Sequence, residues 1–477
     1  MLELLAGALM SLEPSVPPEL PREFRGVWVA TVDNIDWPSR PGLPIEQQKE
    51  QLGHLIRYMA TLHFNAIIFQ VRPHCDALYK SEYEPSSWYV TGEQGKPMGW
   101  DPLEYAVREA HKAGLEVHAW FNPYRAQHPA QKGPYSEDHV ASAHPDWIRK
   151  FGRYGWLDPG LKEVRDHTRD VILDVVKRYD IDGVHMDDYF YPYPEDGVTF
   201  ADDATFAQYQ LQGGMLSKSD WRRSNVDELV SGLNEGIHKI KPWVKFGISP
   251  FGIYRPNVPS GIRAGVDQFE DLGADVLKWW TEGWCDYISP QLYWKSTSQY
   301  QPFGKLFQWW SANNPQKRHL WPGLYTGQVA KTGGNWPVSE VDTQISLTRR
   351  VLDDRGQVHF SAKCLLADTK GIATDLKNGA YKDVALVPSS PWLGTRPVSK
   401  PLLKKDHGLS LTWEPVDNAR FYAVLEFRQG VWDVAQVGDS CTYGFSSGKS
   451  PGPETVAVVA VSRTGETSEP AVIRLRG

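Results

Sequence analysis

The chain has 477 residues, 41% hydrophobic and 23% charged, so it can bury a large core and is neither disordered nor fibrous. Its 51 Lys and Arg residues against 58 Asp and Glu residues give a net charge of −7, which excludes the basic surplus of a nucleic-acid-binding protein. No apolar run reaches the ~18–20 residues of a transmembrane helix. The 20 tryptophans favour a carbohydrate-binding cleft, because flat aromatic rings stack on the apolar faces of sugars.

Residues 1–21 form an N-terminal segment before the first predicted strand. Residues 1–12 are apolar, but no Lys or Arg opens them as in a secretory signal. Residues 5–8 (Leu-Ala-Gly-Ala) match a lipoprotein signal box, except that Ala8 stands where a lipidated Cys belongs. We interpret the segment either as the remnant of a signal or as a chance pattern.

Short apolar strands alternate with helical patterns over residues 22–387, which predicts a parallel sheet. Eight such units fit a closed (β/α)8 barrel of the TIM type better than an open sheet, since no G-x-G-x-x-G motif or P-loop follows a strand. The predicted strands are residues 24–31, 66–71, 116–122, 181–189, 245–251, 287–294, 320–326 and 358–362. The loops after the second, third and fourth strands are the longest, and in such a barrel they surround the active site.

The proline-rich residues 388–401 predict a linker. Residues 402–477 show short strands without helices, which predicts a small all-β sandwich of the immunoglobulin type. The four cysteines lie far apart and form no C-x-x-C pair, so we expect isolated buried thiols rather than a disulfide framework.

The fourth predicted strand runs into the most informative segment, residues 179–192. Alternation along the strand places His185 and Asp187 on one face, directed into the barrel mouth, and Asp188 follows at the turn. Glycoside hydrolysis requires two carboxyl groups that flank the scissile bond, one protonated and one ionised. We therefore predict Asp187 and Asp188 as the catalytic residues. Adjacent residues of a regular strand point to opposite faces, so this pair requires a bulge or a turn.

Polar and aromatic residues at several strand ends are candidates for binding the substrate. Each is a hydroxyl-binding group or a stacking platform, and as a set they converge on the mouth. The predicted substrate-binding residues are Arg72, His118, Asn122, Tyr124, Arg125, His185, Tyr189, Gln291, Tyr293, Trp294 and Trp37.

A metal site is the alternative chemistry. His118, His185 and Asp187 are a donor set suited to zinc, which would make the protein a metal-dependent hydrolase or deacetylase. No H-E-x-x-H or similar short spacing supports this alternative, so we expect neither a metal nor a cofactor.

Motifs across residues 22–380 resemble the glycosyl-hydrolase-like family related to glycoside hydrolase family 10, found in bacterial cell-envelope lipoproteins. The matching segments are 25–28, 70–72, 78–79, 118–125, 144–147, 158–160, 182–192, 247–252 and 289–294. The resemblance implies a TIM-type barrel, a glycosidase-like cleft, and action on the glycan strands of peptidoglycan that lack stem peptides. It also implies export to the periplasm or cell envelope. Residues 411–413 and 459–470 resemble a fibronectin type III module.

The chain departs from the related enzymes in two places. The fourth-strand segment looks like the chitinase motif that ends in D-x-E, but Tyr189 stands at the position of the Glu. Glycoside hydrolase family 10 also uses a glutamate after its seventh strand, whereas residues 324–327 here contain no acid. The reserve candidates for a second carboxylate are Asp33, Asp36, Glu84, Asp271 and Asp275.

Two functions follow as hypotheses. The first is a glycosidase that uses Asp carboxylates on a cell-wall polysaccharide, with the C-terminal module binding a polymer or an envelope protein partner. The second is a non-catalytic glycan-binding protein that uses the same cleft, which the missing seventh-strand acid favours.

Overall fold

The computed structural model describes residues 16–330, 334–351, 355–394, 397–406, 410–444 and 452–475. The predictions for residues 1–15, including the lipoprotein-like box, lie outside the described residues. The chain divides into two compact units, of which residues 21–394 form the larger. Residues 16–20 belong with the C-terminal unit. No helix within the described ranges combines the length and the apolar character needed to cross a membrane.

The larger unit alternates strands and helices along the chain. Its strands are β1 (Phe24–Val29), β2 (Ala66–Arg72), β3 (Glu116–Phe121), β4 (Arg125–Gln127), β5 (Ile148–Phe151), β6 (Tyr154–Leu157), β7 (Gly183–Met186), β8 (Lys245–Ile248), β9 (Tyr287–Ile288), β10 (His319–Leu320), β11 (Gly323–Leu324) and β12 (Gly356–His359). Its helices are α1 (Ile45–Thr61), α2 (Trp88–Thr91), α3 (Pro102–Lys112), α4 (Val140–Ala143), α5 (Lys162–Arg178), α6 (Asp203–Leu211), α7 (Lys218–Ile240), α8 (Val276–Thr281), α9 (Phe303–Ala312), α10 (Val338–Val351), α11 (Ala362–Leu366) and α12 (Ile372–Asn378).

The parallel strands close into a barrel. Their hydrogen-bonded order is β10-β9-β8-β7-β3-β2-β1-β12-β11. The first and last members, β10 and β11, are two halves of one strand: the Trp321 N–H donates to the Ile288 carbonyl at 3.0 Å, and the next carbonyl, of Pro322, accepts from the Val358 N–H at 3.0 Å. This strand therefore joins both edges of the sheet. The predicted (β/α)8 barrel is confirmed, with β7, β8 and β9 as its fourth, fifth and sixth strands.

Local sequence explains the elements. The β1 strand is buried on both faces, as expected for a parallel strand covered by helices. Helix α3 begins after Asp101, whose side chain accepts from the Glu104 N–H, and Pro102 occupies its first position. Gly114 then ends the segment with a φ of 76°, a left-handed conformation that glycine adopts without strain.

Large rings fill the barrel interior opposite glycines. A Cβ atom on Gly183 would lie 2.5 Å from the His118 ring, and one on Gly247 would lie 2.0 Å from the Tyr287 ring. Both distances are far below van der Waals contact, so these strands require glycine where the rings pass. The packing fixes a solid layer below the carboxyl ends of the strands.

The long segment after β3 is more ordered than the sequence predicted. Strands β4, β6 and β5 form a small antiparallel sheet in that order. Trp156 on β6 donates from Nε1 to the Phe190 carbonyl at 2.8 Å, which attaches this sheet to the loop after β7. The sheet therefore supports one wall of the barrel mouth.

The C-terminal unit consists of two antiparallel sheets, as the sequence predicted. Its strands are β13 (Lys404–Lys405), β14 (Ser410–Thr412), β15 (Ala419–Arg428), β16 (Val431–Gly438), β17 (Thr442–Gly444), β18 (Thr455–Ser462) and β19 (Ala471–Arg474). The sheet orders are β13-β14-β17 and β16-β15-β18-β19. Leu411 and Trp413, in or just after β14, pack with Val424 and Val458 of the other sheet, which makes a sandwich core.

The larger unit extends into the predicted linker. Residues 388–394 belong to it, and Trp392 donates from Nε1 to Asp286 Oδ1 at 2.8 Å.

Candidate active site

Asp187 directly follows β7 and is bound by residues of the neighbouring strand. Strands β3 and β7 pair in parallel with Trp120 opposite His185, so residues just beyond Trp120 lie beside Asp187. Trp120 Nε1 donates to Asp187 Oδ2 at 3.0 Å, and Asn122 Nδ2 donates to the same oxygen at 3.2 Å. The Asn122 Oδ1 atom accepts from the Arg125 N–H at 2.9 Å, which fixes the orientation of the amide. Trp120 and Asn122 both present N–H donors to Asp187, and the backbone N–H of Tyr189 also lowers its pKa, so these neighbours favour the ionised form.

The Asp187 carboxyl is only 4% exposed, and burial raises its pKa to about 6 against the lowering effects of the Arg125 charge and the Trp120 hydrogen bond. Its second oxygen, Oδ1, accepts no hydrogen bond of ordinary geometry from the described residues. A buried acceptor without a partner is costly, and at the mouth of a barrel it is the group expected to meet a ligand.

Asp188 lies in a tight turn in which the Phe190 N–H donates to its carbonyl at 3.0 Å. The turn ends the strand and keeps both adjacent carboxyl groups buried. The Tyr193 hydroxyl donates to Asp188 Oδ2. Burial, with a smaller contribution from the charge of Asp187, raises the pKa of Asp188 to about 7 against the lowering effect of the Tyr193 hydrogen bond. A phenol both donates and accepts, so Tyr193 also satisfies a protonated Asp188.

Partly buried aromatic rings follow strands four to eight and form what we call the aromatic arc. Its members are Tyr189, Tyr193, Phe251, Tyr293, Trp294, Tyr325 and Phe360. Neighbouring rings touch one another, with centroid separations of 5.5 Å for Tyr189–Tyr193, 5.7 Å for Phe251–Trp294 and 4.9 Å for Tyr293–Tyr325. Rings with part of their surface exposed provide flat apolar platforms on which sugar rings stack.

The structure places six of the predicted substrate-binding residues at this mouth. They are Asn122, Arg125, Tyr189, Gln291, Tyr293 and Trp294. The Arg125 guanidinium lies 5.0 Å from the centroid of the Tyr189 ring and donates to the Pro73 carbonyl. Gln291 donates from Nε2 to the Ser249 carbonyl at 3.0 Å and also hydrogen-bonds Asp188. These contacts connect the second, third, fifth and sixth strand ends around the two carboxyl groups.

The sequence predicted Arg72 as a substrate-binding residue at the barrel mouth. The structure instead shows it fully buried. Its guanidinium binds both oxygens of Glu84, with a shortest distance of 2.5 Å, and donates to the carbonyls of Asn122 and Pro123 at 2.7 and 2.9 Å. All of its donor capacity serves the protein, so Arg72 supports the segment that carries Asn122 rather than a sugar.

His118 and His185 were predicted to bind the substrate at the mouth. The structure places both of them in the interior layer below it. His118 contacts Glu116 through Nε2 at 3.0 Å and the Tyr287 hydroxyl through Nδ1 at 2.8 Å. His185 contacts the same hydroxyl through Nδ1 at 3.0 Å, and its Nε2 accepts from Trp28 Nε1 at 3.2 Å. The Trp28 indole can only donate, so His185 Nε2 accepts and the proton of that ring lies on Nδ1. The Glu116 carboxylate accepts, so the proton of the His118 ring is assigned to Nε2. Burial lowers the pKa of His185 well below its ordinary value, which agrees with a neutral imidazole.

Tyr124 and Trp37 are also core residues rather than ligands. Tyr124 is fully buried in the main hydrophobic cluster. Trp37 donates from Nε1 to the Gln48 carbonyl at 3.0 Å and packs against Phe69 and Trp100. The aromatic count of the sequence therefore overstated the number of rings available to a substrate.

The alternative metal site does not assemble. Both ring nitrogens of His118 and of His185 are engaged with protein groups, so neither histidine offers a free lone pair beside Asp187. Within the described residues no cluster of three histidines, cysteines or carboxylates has the geometry of a metal site.

The reserve carboxylates serve the fold. Asp36 accepts from the Ala30 N–H, the Ser361 hydroxyl and the Lys363 N–H at 2.7 to 2.8 Å. Glu84 pairs with Arg72, Asp275 caps α8, and Asp271 accepts from the Asp267 N–H at 2.8 Å. Asp33 is exposed on a short turn of helix after β1.

Four rings of the aromatic arc are not among the predicted substrate-binding residues: Tyr193, Phe251, Tyr325 and Phe360. The last three each follow a barrel strand within three residues, so their position at a strand end was a usable signal. Trp120, a partner of Asp187, is not among the predicted site residues, although it alternates with Asn122 along the third strand.

A closed parallel barrel with two buried adjacent carboxyl groups and an aromatic wall at its mouth defines a protein of the glycoside-hydrolase-like class. Residues 23–338 match the family described as Glycosyl hydrolase-like 10, and the chain belongs to that family.

Curated relatives and a solved structure agree with this assignment. The glycosyl hydrolase YngK of Bacillus subtilis is 44% identical over 395 residues, which cover 80% of this chain and 77% of the relative. The glycosyl hydrolase DigH of Escherichia coli is 34% identical over 377 residues, covering 73% and 85%. The PgaB (BpsB) glycoside hydrolase domain of Bordetella bronchiseptica shares the fold, with a TM-score of 0.51 and 12% identity over 75% of this chain and 98% of that domain.

Proposed function

We propose that the protein is a glycosidase that cleaves glycosidic bonds of a bacterial cell-wall glycan, namely peptidoglycan strands lacking stem peptides. The carrying observation is the difference in surroundings between the two adjacent carboxyl groups. The N–H donors of Trp120 and Asn122 and the charge of Arg125 favour the ionised form of Asp187, whereas burial and the charge of Asp187 raise the pKa of Asp188. One pair thus supplies the ionised and the protonated carboxyl group that the reaction requires.

In the proposed mechanism Asp188 is the general acid. Its raised pKa of about 7 keeps it protonated near neutral pH, so it can donate to the leaving glycosidic oxygen. Asp187 remains ionised above its pKa of about 6 and acts as the nucleophile or as the base for water, through its unpartnered Oδ1. Tyr193 holds Asp188, and Trp120 with Asn122 holds Asp187, so both carboxyl groups are oriented before the substrate binds.

The aromatic arc supports a polysaccharide substrate. Its rings follow five successive strand ends, so they provide several stacking platforms in a row rather than one. A polymer of sugars makes use of such a row, because each ring contacts a different sugar. The cell-wall glycan and export to the periplasm or cell envelope rest on the motif resemblance, since YngK and DigH are described only as glycosyl hydrolases.

The test is incubation of the purified protein with peptide-free glycan strands, with the products read by mass spectrometry. We expect shortened strands with one water added per cleavage. Intact strands, under conditions in which the protein binds them, would contradict a glycosidase.

A non-catalytic glycan-binding protein is the second candidate function. It is favoured by the seventh strand, which ends at Leu324 and is followed by Tyr325, Thr326 and Gly327 without a carboxylate. Binding of the same strands without any cleavage, and equal binding by Asp187→Asn, would establish this alternative.

We also propose that the C-terminal residues 402–477 form a fibronectin type III module. Because residues 388–394 of the predicted 388–401 linker belong to the barrel unit, the proposed connection is reduced to residues 395–401. The supporting feature is the division of the module's seven described strands into sheets of three and four, with β14 and β17 paired in one and β15 and β18 in the other. Such a module positions the enzyme on a polymer or on an envelope protein partner. Deletion of the module should lower activity on intact cell walls but not on soluble strands.

A further inference from the structure

A pocket of about 510 Å³ opens on the same barrel face as the catalytic pair. It lies between the loop that follows β8 and the loop that follows β9, and it is lined by Pro256, Ile262, Arg263, Ala264 and Tyr300 among others. The same two loops carry Phe251, Tyr293 and Trp294 of the aromatic arc nearer their starts. The volume of the pocket is in the range of small-ligand sites, about 300–1,000 Å³.

Arg263 and Tyr300 are held together across this pocket. The Arg263 guanidinium lies 3.8 Å from the centroid of the Tyr300 ring, and the Arg263 N–H donates to the Tyr300 carbonyl at 3.3 Å. The Arg263 carbonyl in turn accepts from Gln301 Nε2 at 2.8 Å. The arginine is therefore oriented before any ligand binds, which reduces the entropy lost on binding.

The charge of Arg263 is uncompensated in the described part of the chain. Its neighbour Arg255 pairs with Asp267 at 3.1 Å and with Glu270 at 3.2 Å, whereas no carboxylate of the described ranges pairs with Arg263. The exposed Arg263 side chain is therefore a cation that remains available to an anionic ligand of the pocket.

We propose that this pocket binds the carboxylate-bearing substituent of an acidic sugar in the glycan. The planar guanidinium matches a carboxylate through two parallel hydrogen bonds, and Tyr300 with Ile262 supplies apolar contacts for the sugar that carries it. The proposal rests on the proposed function, which it deepens: the enzyme prefers glycans with a carboxylate at regular intervals. Peptide-free peptidoglycan strands meet this condition, since their lactyl groups end in free carboxylates on alternate sugars.

The experiment compares two soluble substrates that differ only in charge: peptide-free glycan strands, and the same strands with every carboxylate converted to a methylamide. The proteins are the wild type, Arg263→Gln and the control Arg57→Gln, which changes an exposed arginine of α1. We expect Arg263→Gln to raise KM for the carboxylated strands about three- to tenfold, the range of a typical net hydrogen bond, without changing kcat. KM for the amidated strands should stay unchanged, and the control should match the wild type on both.

A binding measurement by calorimetry on the same pairs separates this proposal from the proposed function. Weaker binding of Arg263→Gln to carboxylated strands alone would support the pocket even if neither strand is cleaved. If both strands are cleaved and Arg263→Gln changes KM equally for both, or for neither, the proposed role of the pocket would be overturned. The proposed glycosidase activity would still stand. Failure of the wild type to bind either strand would overturn the pocket as well.

Discussion

One buried chain of polar groups in the barrel interior and the Asp187 carboxyl at the barrel mouth differ in how they are satisfied, although the same strands supply both. In the interior, Lys245, Glu116, His118, Tyr287 and His185 form one buried chain of hydrogen bonds in which each group has partners from the protein. At the mouth, two residues beyond His185, Asp187 keeps an oxygen that accepts no hydrogen bond of ordinary geometry from the part of the chain that the structure describes.

This difference separates residues that support the fold from residues that meet a substrate. A buried polar group whose partners are all protein groups stabilises one conformation and has nothing left to offer a ligand. A buried carboxyl with an open acceptor and a raised pKa is destabilising by itself, and proteins retain such groups mainly at functional sites. The predictions below test this distinction by pairing a mouth residue with an interior or structural one.

The largest effect is expected from Asp187→Asn. It removes the ionised carboxylate and should lower kcat on peptide-free strands by about 10²–10⁴-fold. The matched variant is Asp36→Asn, because burial also raises the pKa of Asp36 to about 6. An amide there would face an N–H group, so it should cost about 1–3 kcal/mol of stability and leave kcat within a few-fold. Equal losses of kcat in both variants would contradict the assignment.

Arg72→Met tests the supporting layer beneath the mouth. The change leaves Glu84 buried without its cation and should lower the free energy of unfolding by about 3–5 kcal/mol, measured by denaturant titration. In Arg72→Met/Glu84→Met the unpaired charge is gone, so part of this loss should be recovered. A normal stability for the single variant, with a raised KM, would instead make Arg72 a ligand.

Trp294→Ala and Trp37→Ala compare two tryptophans that the sequence could not distinguish. Loss of the Trp294 platform should raise KM about three- to tenfold with unchanged stability, because a partly exposed ring contributes to stacking. Loss of Trp37 should cost about 3–5 kcal/mol of stability and leave KM unchanged, because its ring fills the core. A raised KM for Trp37→Ala together with an unchanged KM for Trp294→Ala would show that the sugar does not contact the end of the sixth strand.

Tyr193→Phe should give the smallest effect, a shift of the pH profile. Activity requires protonated Asp188, so kcat/KM falls as the pH rises through its pKa of about 7. The Tyr193 hydrogen bond lowers that pKa, and its removal should therefore extend activity to higher pH. The limb at lower pH, which reports Asp187, should move less. A basic limb that stays in place or moves to lower pH would show that Tyr193 does not act through Asp188.

Much of the fold could be predicted from the sequence, because strand and helix periods repeat eight times and each strand is marked by β-branched or aromatic residues. It was harder to predict from the position of a residue along its strand how far below the barrel mouth its side chain lies. His185 and Asp187 share a face, but a strand rises only ~3.3 Å per residue, so two residues separate the interior layer from the mouth. The sequence also gave no sign that Glu84, twelve residues later, would neutralise Arg72. Such pairings depend on loops whose paths no local pattern specifies.

The most direct test of the central claim is a titration of the aspartate carboxyl groups by carbon-13 NMR. The resonances of Asp187 and Asp188 are identified by their loss in Asp187→Asn and Asp188→Asn. We predict that the pair titrates in two steps near 6 and 7, as adjacent buried carboxyl groups with coupled protons do. Titration of both groups near 4, the ordinary range of a solvated aspartate, would show that neither is poised for acid–base chemistry and would contradict the account.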